Sequence, residues 1–174
     1  DIKAYVPKAH SITSGQVLSC EYTYEKARLI LHEMTEGLCL DLIEKRQVTD
    51  SLGIYVGYTN RIGLPPARGS ANLPFYTCST RLIQEEMDRL YQKVVRPECM
   101  IKRISISFNR LLDEDQEGWD LFTDTEELKK EKNMTKAVLN IKHKFGKNAI
   151  FKAMNLEDGA TALERNKQIG GHRA

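Results

Sequence analysis

No stretch of this sequence approaches the run of about 18 apolar residues needed to span a membrane, and no charged-then-apolar leader opens it. A membrane partner is therefore not expected, and the cytoplasm is the expected location. Cysteine is sparse and scattered: Cys20, Cys39, Cys78 and Cys99 form no CxxC pair and have no histidine at ligand spacing. They read as reduced, mostly buried small side chains, which argues against structural zinc and a disulfide framework. His10, His32, His143 and His172 likewise stand without partners in sequence. A convergent carboxylate pair is also missing. Phosphoryl transfer by two metals needs carboxylates held together on a rigid scaffold, yet the densest acidic cluster, Asp113, Glu114 and Asp115, falls in a segment expected to be extended and solvated. No catalytic residue, metal ligand or cofactor is expected in this chain. An initiator methionine is absent too: the sequence begins at Asp1, so the expectation is a piece of a longer protein.

What is present is charge that changes sign along the chain. Residues 1–111 carry 15 Lys/Arg against 12 Asp/Glu, residues 112–128 carry none against 8, and residues 129–174 carry 11 against 4. A mildly basic domain is followed by an acidic connector and a basic tail. With 41% hydrophobic residues there is enough apolar side chain for a real core.

The most informative stretch is Met100 to Leu112, MIKRISISFNRLL. Alternation puts Ile104, Ile106 and Phe108 on one face of a strand and Arg103, Ser105, Ser107 and Asn109 on the other. The first face belongs in a core. The second offers a cation, two hydroxyls and an amide, which suit hydrogen bonding to phosphate oxygens, although for this strand taken alone a solvated polar face is the plainer explanation.

Earlier elements fall into place around it. Ser11–Cys20 reads as a strand with Gly15 as a bulge or close-approach point. Thr23 caps a helix from about Tyr24 to Arg46, with Ala27, Leu31, Met34, Leu38 and Leu42 on one side. Ser51–Tyr58 alternates as a strand, and Asn72–Ser79 follows a turn-rich loop as another. A second helix starts at Thr80, carries Leu82, Ile83, Met87, Leu90 and Val94, and stops before Pro97. The order strand, helix, strand, strand, helix, strand predicts an α+β, ferredoxin-like split βαβ fold: a four-stranded antiparallel sheet with two helices on one face and the other face free. Helical period returns over Lys129–Phe145, ending at Gly146. The expected division is a linker at 1–9, a domain at 10–111, a connector at 112–128, and a basic helical, partly flexible tail at 129–174.

That order, opened by HSITSGQVL and closed by IKRISISFNRL, resembles the little-finger domain of Y-family translesion DNA polymerases. The connector QEGWDLF resembles the sliding-clamp peptide that follows this domain in the UmuC-like (ImpB/MucB/SamB) branch. The tail GKNAIFKAMNLEDGATALERNKQIGGHRA is similar to the C-terminal extension of Gram-positive members. The resemblance implies the DNA-gripping end of an error-prone polymerase that acts in damage tolerance, DNA repair and the SOS response. Its parent would be a Mg-dependent DNA polymerase whose catalytic carboxylates lie elsewhere, and its partners would be template-primer DNA and the bacterial sliding clamp. Carried over by position, the DNA contacts are Ser11, Thr13, Ser14 and Gly15 on the first strand and Lys102, Arg103, Ser105 and Ser107 on the last. The hydroxyl at Ser107 departs from the arginine-richer archaeal pattern. The clamp contacts are Trp119, Asp120, Leu121 and Phe122, but Gly118 occupies the site where a glutamine is expected, and Gln116 lies two residues earlier. The same apolar residues could instead pack on their own domain. Two readings of other classes remain open: a ferredoxin-like RNA-binding module stacking bases on Tyr55 and Tyr76, and a small metal-dependent hydrolase using Asp113 and Asp115.

Overall fold

A computed structural model describes residues 11–60, 63–169 and 172–173; the expected linker, His10 and Ala174 lie outside them. Strand β1 (Ile12–Tyr22) leads to helix α1 (Tyr24–Glu44), then to strands β2 (Gln47–Tyr58) and β3 (Ala67–Thr77), helix α2 (Thr80–Val94) and strand β4 (Ile101–Asn109). The expected order of elements is present. Thr23 caps α1 by accepting from the Lys26 amide, and Ser79 caps α2 by accepting from the Leu82 amide.

All neighbouring strands are antiparallel, in the spatial order β1-β4-β2-β3. Each βαβ unit is thus split by a strand from elsewhere: β4 lies between β1 and β2, and β2 between β4 and β3. Both helices pack on one face. Ile104, Ile106 and Phe108 of β4 are buried there beneath Ile30, Leu31, Met34, Ile83, Met87 and Leu90. Each such side chain contributes roughly 1.5–3 kcal/mol on full burial. Tyr91 joins this core, its hydroxyl donating to the Tyr24 carbonyl at 2.9 Å.

The strands are longer than alternation alone suggests. Strand β3 begins at Ala67, not Asn72, because its covered face is built from small residues. A Cβ at Gly69 would come within 2.8 Å of Val94 Cγ1 and 2.9 Å of Leu90 Cδ1, so α2 lies close over β3 only because nothing projects there.

Beyond β4 the structure departs from the expected extended connector and partly flexible tail. Arg110, at φ 53°, turns the chain so that β5 (Leu112–Asp113) pairs with the start of β2. Helix α3 (Thr125–Phe145) begins four residues before the expected Lys129, because Asp124 caps it through the amides of Glu126 and Glu127 at 3.0 Å. Gly146, at φ 101°, ends it as expected. The following segment folds back onto α1 and β1. Tyr22 donates to the Gly159 carbonyl, Lys26 pairs with Asp158, and buried Glu33 accepts from Asn155, Thr161 and the amide of Ala162 at the start of α4 (Ala162–Arg165). A short pair, β6 (Gln168–Ile169) with β7 (His172–Arg173), closes the described chain. Cys39, Cys78 and Cys99 are buried and free, whereas Cys20 is exposed.

Candidate nucleic-acid interface and docking loop

Because partners directly opposite in adjacent strands project to the same side, the register fixes which residues share the free face. One row runs Gly15, Ser105, Tyr55 and Arg68 from β1 across to β3. A parallel row runs Thr13, Ser107, Gly53 and Ser70. Flanking these, Val17, Arg103 and Gly57 line up at one end, and Asn109, Ser51 and Asn72 at the other. No carboxylate occurs in any of these rows.

The centre of the face is organised by Tyr55. The Arg68 guanidinium lies 5.2 Å from its ring centroid and that of Arg103 lies 5.9 Å away. Cation–π attraction of about 0.5–1 kcal/mol at an exposed site draws both cations to the ring. Around them the surface is low. A Cβ at Gly53 would meet Ser107 Oγ at 2.5 Å, and Ser107 Oγ also accepts from Asn109 at 3.3 Å. Glycines beside hydroxyls let an extended anionic backbone approach the strands without steric obstruction.

The expected DNA contacts divide accordingly. Thr13, Gly15, Arg103, Ser105 and Ser107 come together on the free face, and exposed Ser11 continues the alternation just before β1. Ser14 does not join them: it stands opposite Ile106, on the helix-covered side. Lys102 sits where the register shifts between Arg103 and Ile101, and its ammonium donates to the Ser19 carbonyl at 3.3 Å, towards the β1 edge. Arg68, Ser70 and Asn72 were missed by sequence reasoning. Their signal is the alternation in ARGSAN, hidden because Ala67, Gly69 and Ala71 do not look like a core face.

The second candidate site is the loop between β5 and α3. Leu121 and Phe122 are 99% and 96% exposed and Trp119 is 65% exposed, so the expected docking residues do project into solvent and the self-packing alternative does not hold for Leu121 and Phe122. Asp120 closes the turn beneath them, accepting from the Thr123 hydroxyl at 2.6 Å and the Phe122 amide at 3.0 Å. Those hydrogen bonds, the Thr123 hydroxyl first, hold its carboxyl below the ordinary aspartate value. At the base of the loop, Lys132 of α3 pairs with Glu117 at 2.9 Å and Glu114 at 3.3 Å. Burial alone would lower its pKa, but the Glu117 hydrogen bond and the neighbouring charges outweigh it and raise the value. The Cys78 thiol, which donates to Glu117, is pushed up to about 12 by burial first and by that carboxylate second, so it stays protonated and unreactive.

Tyr76 is partly buried and packs against the core, and no strand pairing sets it in a row with Tyr55. Asp113 and Asp115 lie on β5 and in the turn after it, and among the described residues no three or more His, Cys, Asp or Glu side chains gather as a metal site.

Residues 9–121 match the model of the impB/mucB/samB family C-terminal domain. The chain belongs to this family. The match ends at Leu121, so the impB/mucB/samB domain takes in the sheet, both helices and the first part of the loop, while α3 and everything after it lie beyond the match. No curated protein matches the chain. Among solved structures it is similar to the little finger domain of PolIV in a complex with the beta-clamp processivity factor, at 8% identity and a TM-score of 0.45 over 66% of this chain and 100% of that one.

Proposed function

We propose that this impB/mucB/samB domain is the DNA-gripping little finger of an error-prone translesion polymerase acting in DNA repair and the SOS response, and that its loop tethers the enzyme to the sliding clamp. The observation that carries the DNA half is the composition of the free face, with two arginines beside Tyr55, rows of hydroxyls and amides, three glycines, and no carboxylate in the paired rows; Asp50, at the Asn72 end, is paired with Arg110. Such a surface neutralises and hydrogen-bonds phosphates while offering little that reads a base edge. A polymerase that must cross damaged templates needs this kind of grip. The clamp half is supported by Leu121 and Phe122, two large apolar side chains held in water without cover.

In this reading the chain supplies binding and positioning only. Magnesium and the carboxylates that hold it would belong to the rest of the polymerase, and the protein would work in the cytoplasm; no helix among the described residues is long and apolar enough to cross a membrane. The RNA-binding alternative loses its stacking platform. Tyr76 packs against the core, and two guanidiniums crowd the Tyr55 ring, which leaves no aromatic row for successive bases.

Fluorescence anisotropy with primed duplexes of unrelated sequence tests the DNA half. Affinities should agree among sequences and fall with salt at a log–log slope of about −0.9 per phosphate contact. Binding insensitive to salt, or stronger on single-stranded RNA than on primed DNA, would sink it.

A further inference from the structure

The docking loop is not a free tether. Upstream, β5 pairs with β2, the Glu114 amide donates to the Arg46 carbonyl at 2.9 Å, and Glu117 is held by Lys132 and accepts from the Cys78 amide. The last attachment is Gly118, whose amide donates to the Tyr76 carbonyl of β3 at 2.9 Å. Downstream the chain is fixed again at Asp124, the cap of α3. Only residues 119–123 span the gap, and Asp120 closes them into a turn.

Gly118 makes this possible by having no side chain. A Cβ there would stand 2.9 Å from Phe75 Cβ, an atom on the strand itself that no rotamer change can move aside. The position where a clamp-binding peptide would carry its glutamine is therefore occupied by a residue that must be glycine for the chain to lie on β3.

We propose that Gly118 is a positioning residue. It seats the connector on the edge of β3 so that Leu121 and Phe122 project as a two-pronged, preformed docking loop for the apolar pocket of a sliding clamp. This rests on the clamp reading above and adds to it that the domain surface contributes to affinity without touching the partner. A prong already held in place loses less freedom on docking than a flexible peptide does.

The test compares binding to purified bacterial sliding clamp, by calorimetry, of the full chain, its G118Q and G118A variants, and the free peptide 112–128 with glycine or glutamine at 118. The full chain is expected to bind about tenfold tighter than the glycine peptide, the advantage of preorganisation. G118Q should fall to about the peptide's affinity, and G118A should weaken in the same direction, while glutamine in the free peptide should not weaken binding. If position 118 is merely a vacant anchor, G118Q will bind tighter in both contexts, and that result overturns the proposal. Equal affinity of chain, variants and peptide overturns it as well. If neither the chain nor the peptide binds, the clamp reading fails and the docking role fails with it. Hydrogen exchange at the Gly118 amide then decides the seating alone: slow exchange that G118A accelerates upholds it, and exchange at the unstructured rate removes it. Circular dichroism of both variants identifies any loss of fold.

Discussion

Glu131 on α3 completes the first turn of a helix that begins some fifty residues earlier, its carboxylate accepting the hydroxyl of the α2 cap Ser79 at 2.6 Å. Its second oxygen takes the Arg81 amide at 2.9 Å. Two polar groups at the start of α2 thus find their acceptor on an element outside the family match. Glu131→Ala should lower stability by about 1–2 kcal/mol, the range for losing a helix cap and a charge-assisted hydrogen bond. Urea unfolding measures this, and a double-mutant cycle with Ser79→Ala should give a coupling of about 0.5 kcal/mol or more. A coupling near zero would show that α3 is only loosely apposed.

On the free face, Arg68→Ala and Arg103→Ala should each weaken DNA binding to a similar degree on unrelated sequences and reduce the salt slope by about 1. Tyr55→Ala should weaken it as well, although tyrosine makes no ion pair, because both guanidiniums lose their brace. Ser14→Ala, on the covered side, should leave affinity unchanged. Anisotropy titrations at three salt concentrations separate these outcomes, and a loss confined to one sequence would indicate base readout instead.

Glu33 holds the C-terminal segment. It accepts from Asn155 at 2.8 Å, from the Thr161 amide at 2.8 Å and from the Ala162 amide at 3.1 Å. Glu33→Ala leaves these donors without their acceptor and should cost about 2 kcal/mol or more. Limited proteolysis should then cleave residues 146–169 faster while the sheet core remains intact. Unchanged cleavage kinetics would mean that the remaining contacts from Gln16, Tyr22, Lys26 and Glu36 suffice to hold the segment.

The Asp120 turn should respond to acid in one direction. Its folded pKa lies below that of an unfolded aspartate, so its contribution is fully present above about 3.9 and is lost as pH falls from there through the depressed value. The Phe122 amide resonance should hold steady from pH 8 to about 5 and move towards its unstructured position below about 4. A transition above pH 5 would assign the turn to a different group.

Much of this arrangement was legible in the sequence. Period-two alternation in Ile104, Ile106 and Phe108 marked the core face of β4, and helical spacing with Thr23 marked α1, because in both cases one large apolar set faces one layer. Alternation also placed Ser105 and Ser107 beside Arg103. It failed for Arg68, where the covered face is Ala67, Gly69 and Ala71 and the driving contact is the close approach of α2, a tertiary fact with no local trace. Ser14 falls on the covered side because the resemblance carries over a consecutive run, whereas successive residues of a strand face opposite ways. The order after Leu111 was hidden for a related reason. Acidic residues such as Glu117 look solvated until Lys132 is known to stand beside them, and the polar tail looks unstructured until Glu33, carried on α1, is seen to gather its amides.

Strand β1 has one neighbour in the sheet, and that neighbour is β4: Ile12 stands opposite Phe108 and Gln16 opposite Ile104. During synthesis, the first strand of the domain must therefore wait for the last. Until Ile101–Asn109 has left the ribosome, the apolar faces of α1 and β2 have no complete sheet to close on, and the domain is exposed to mispairing and to chaperones for nearly the whole of its own translation. Its folding should be late and abrupt, set by the arrival of one strand rather than by gradual accretion of helices.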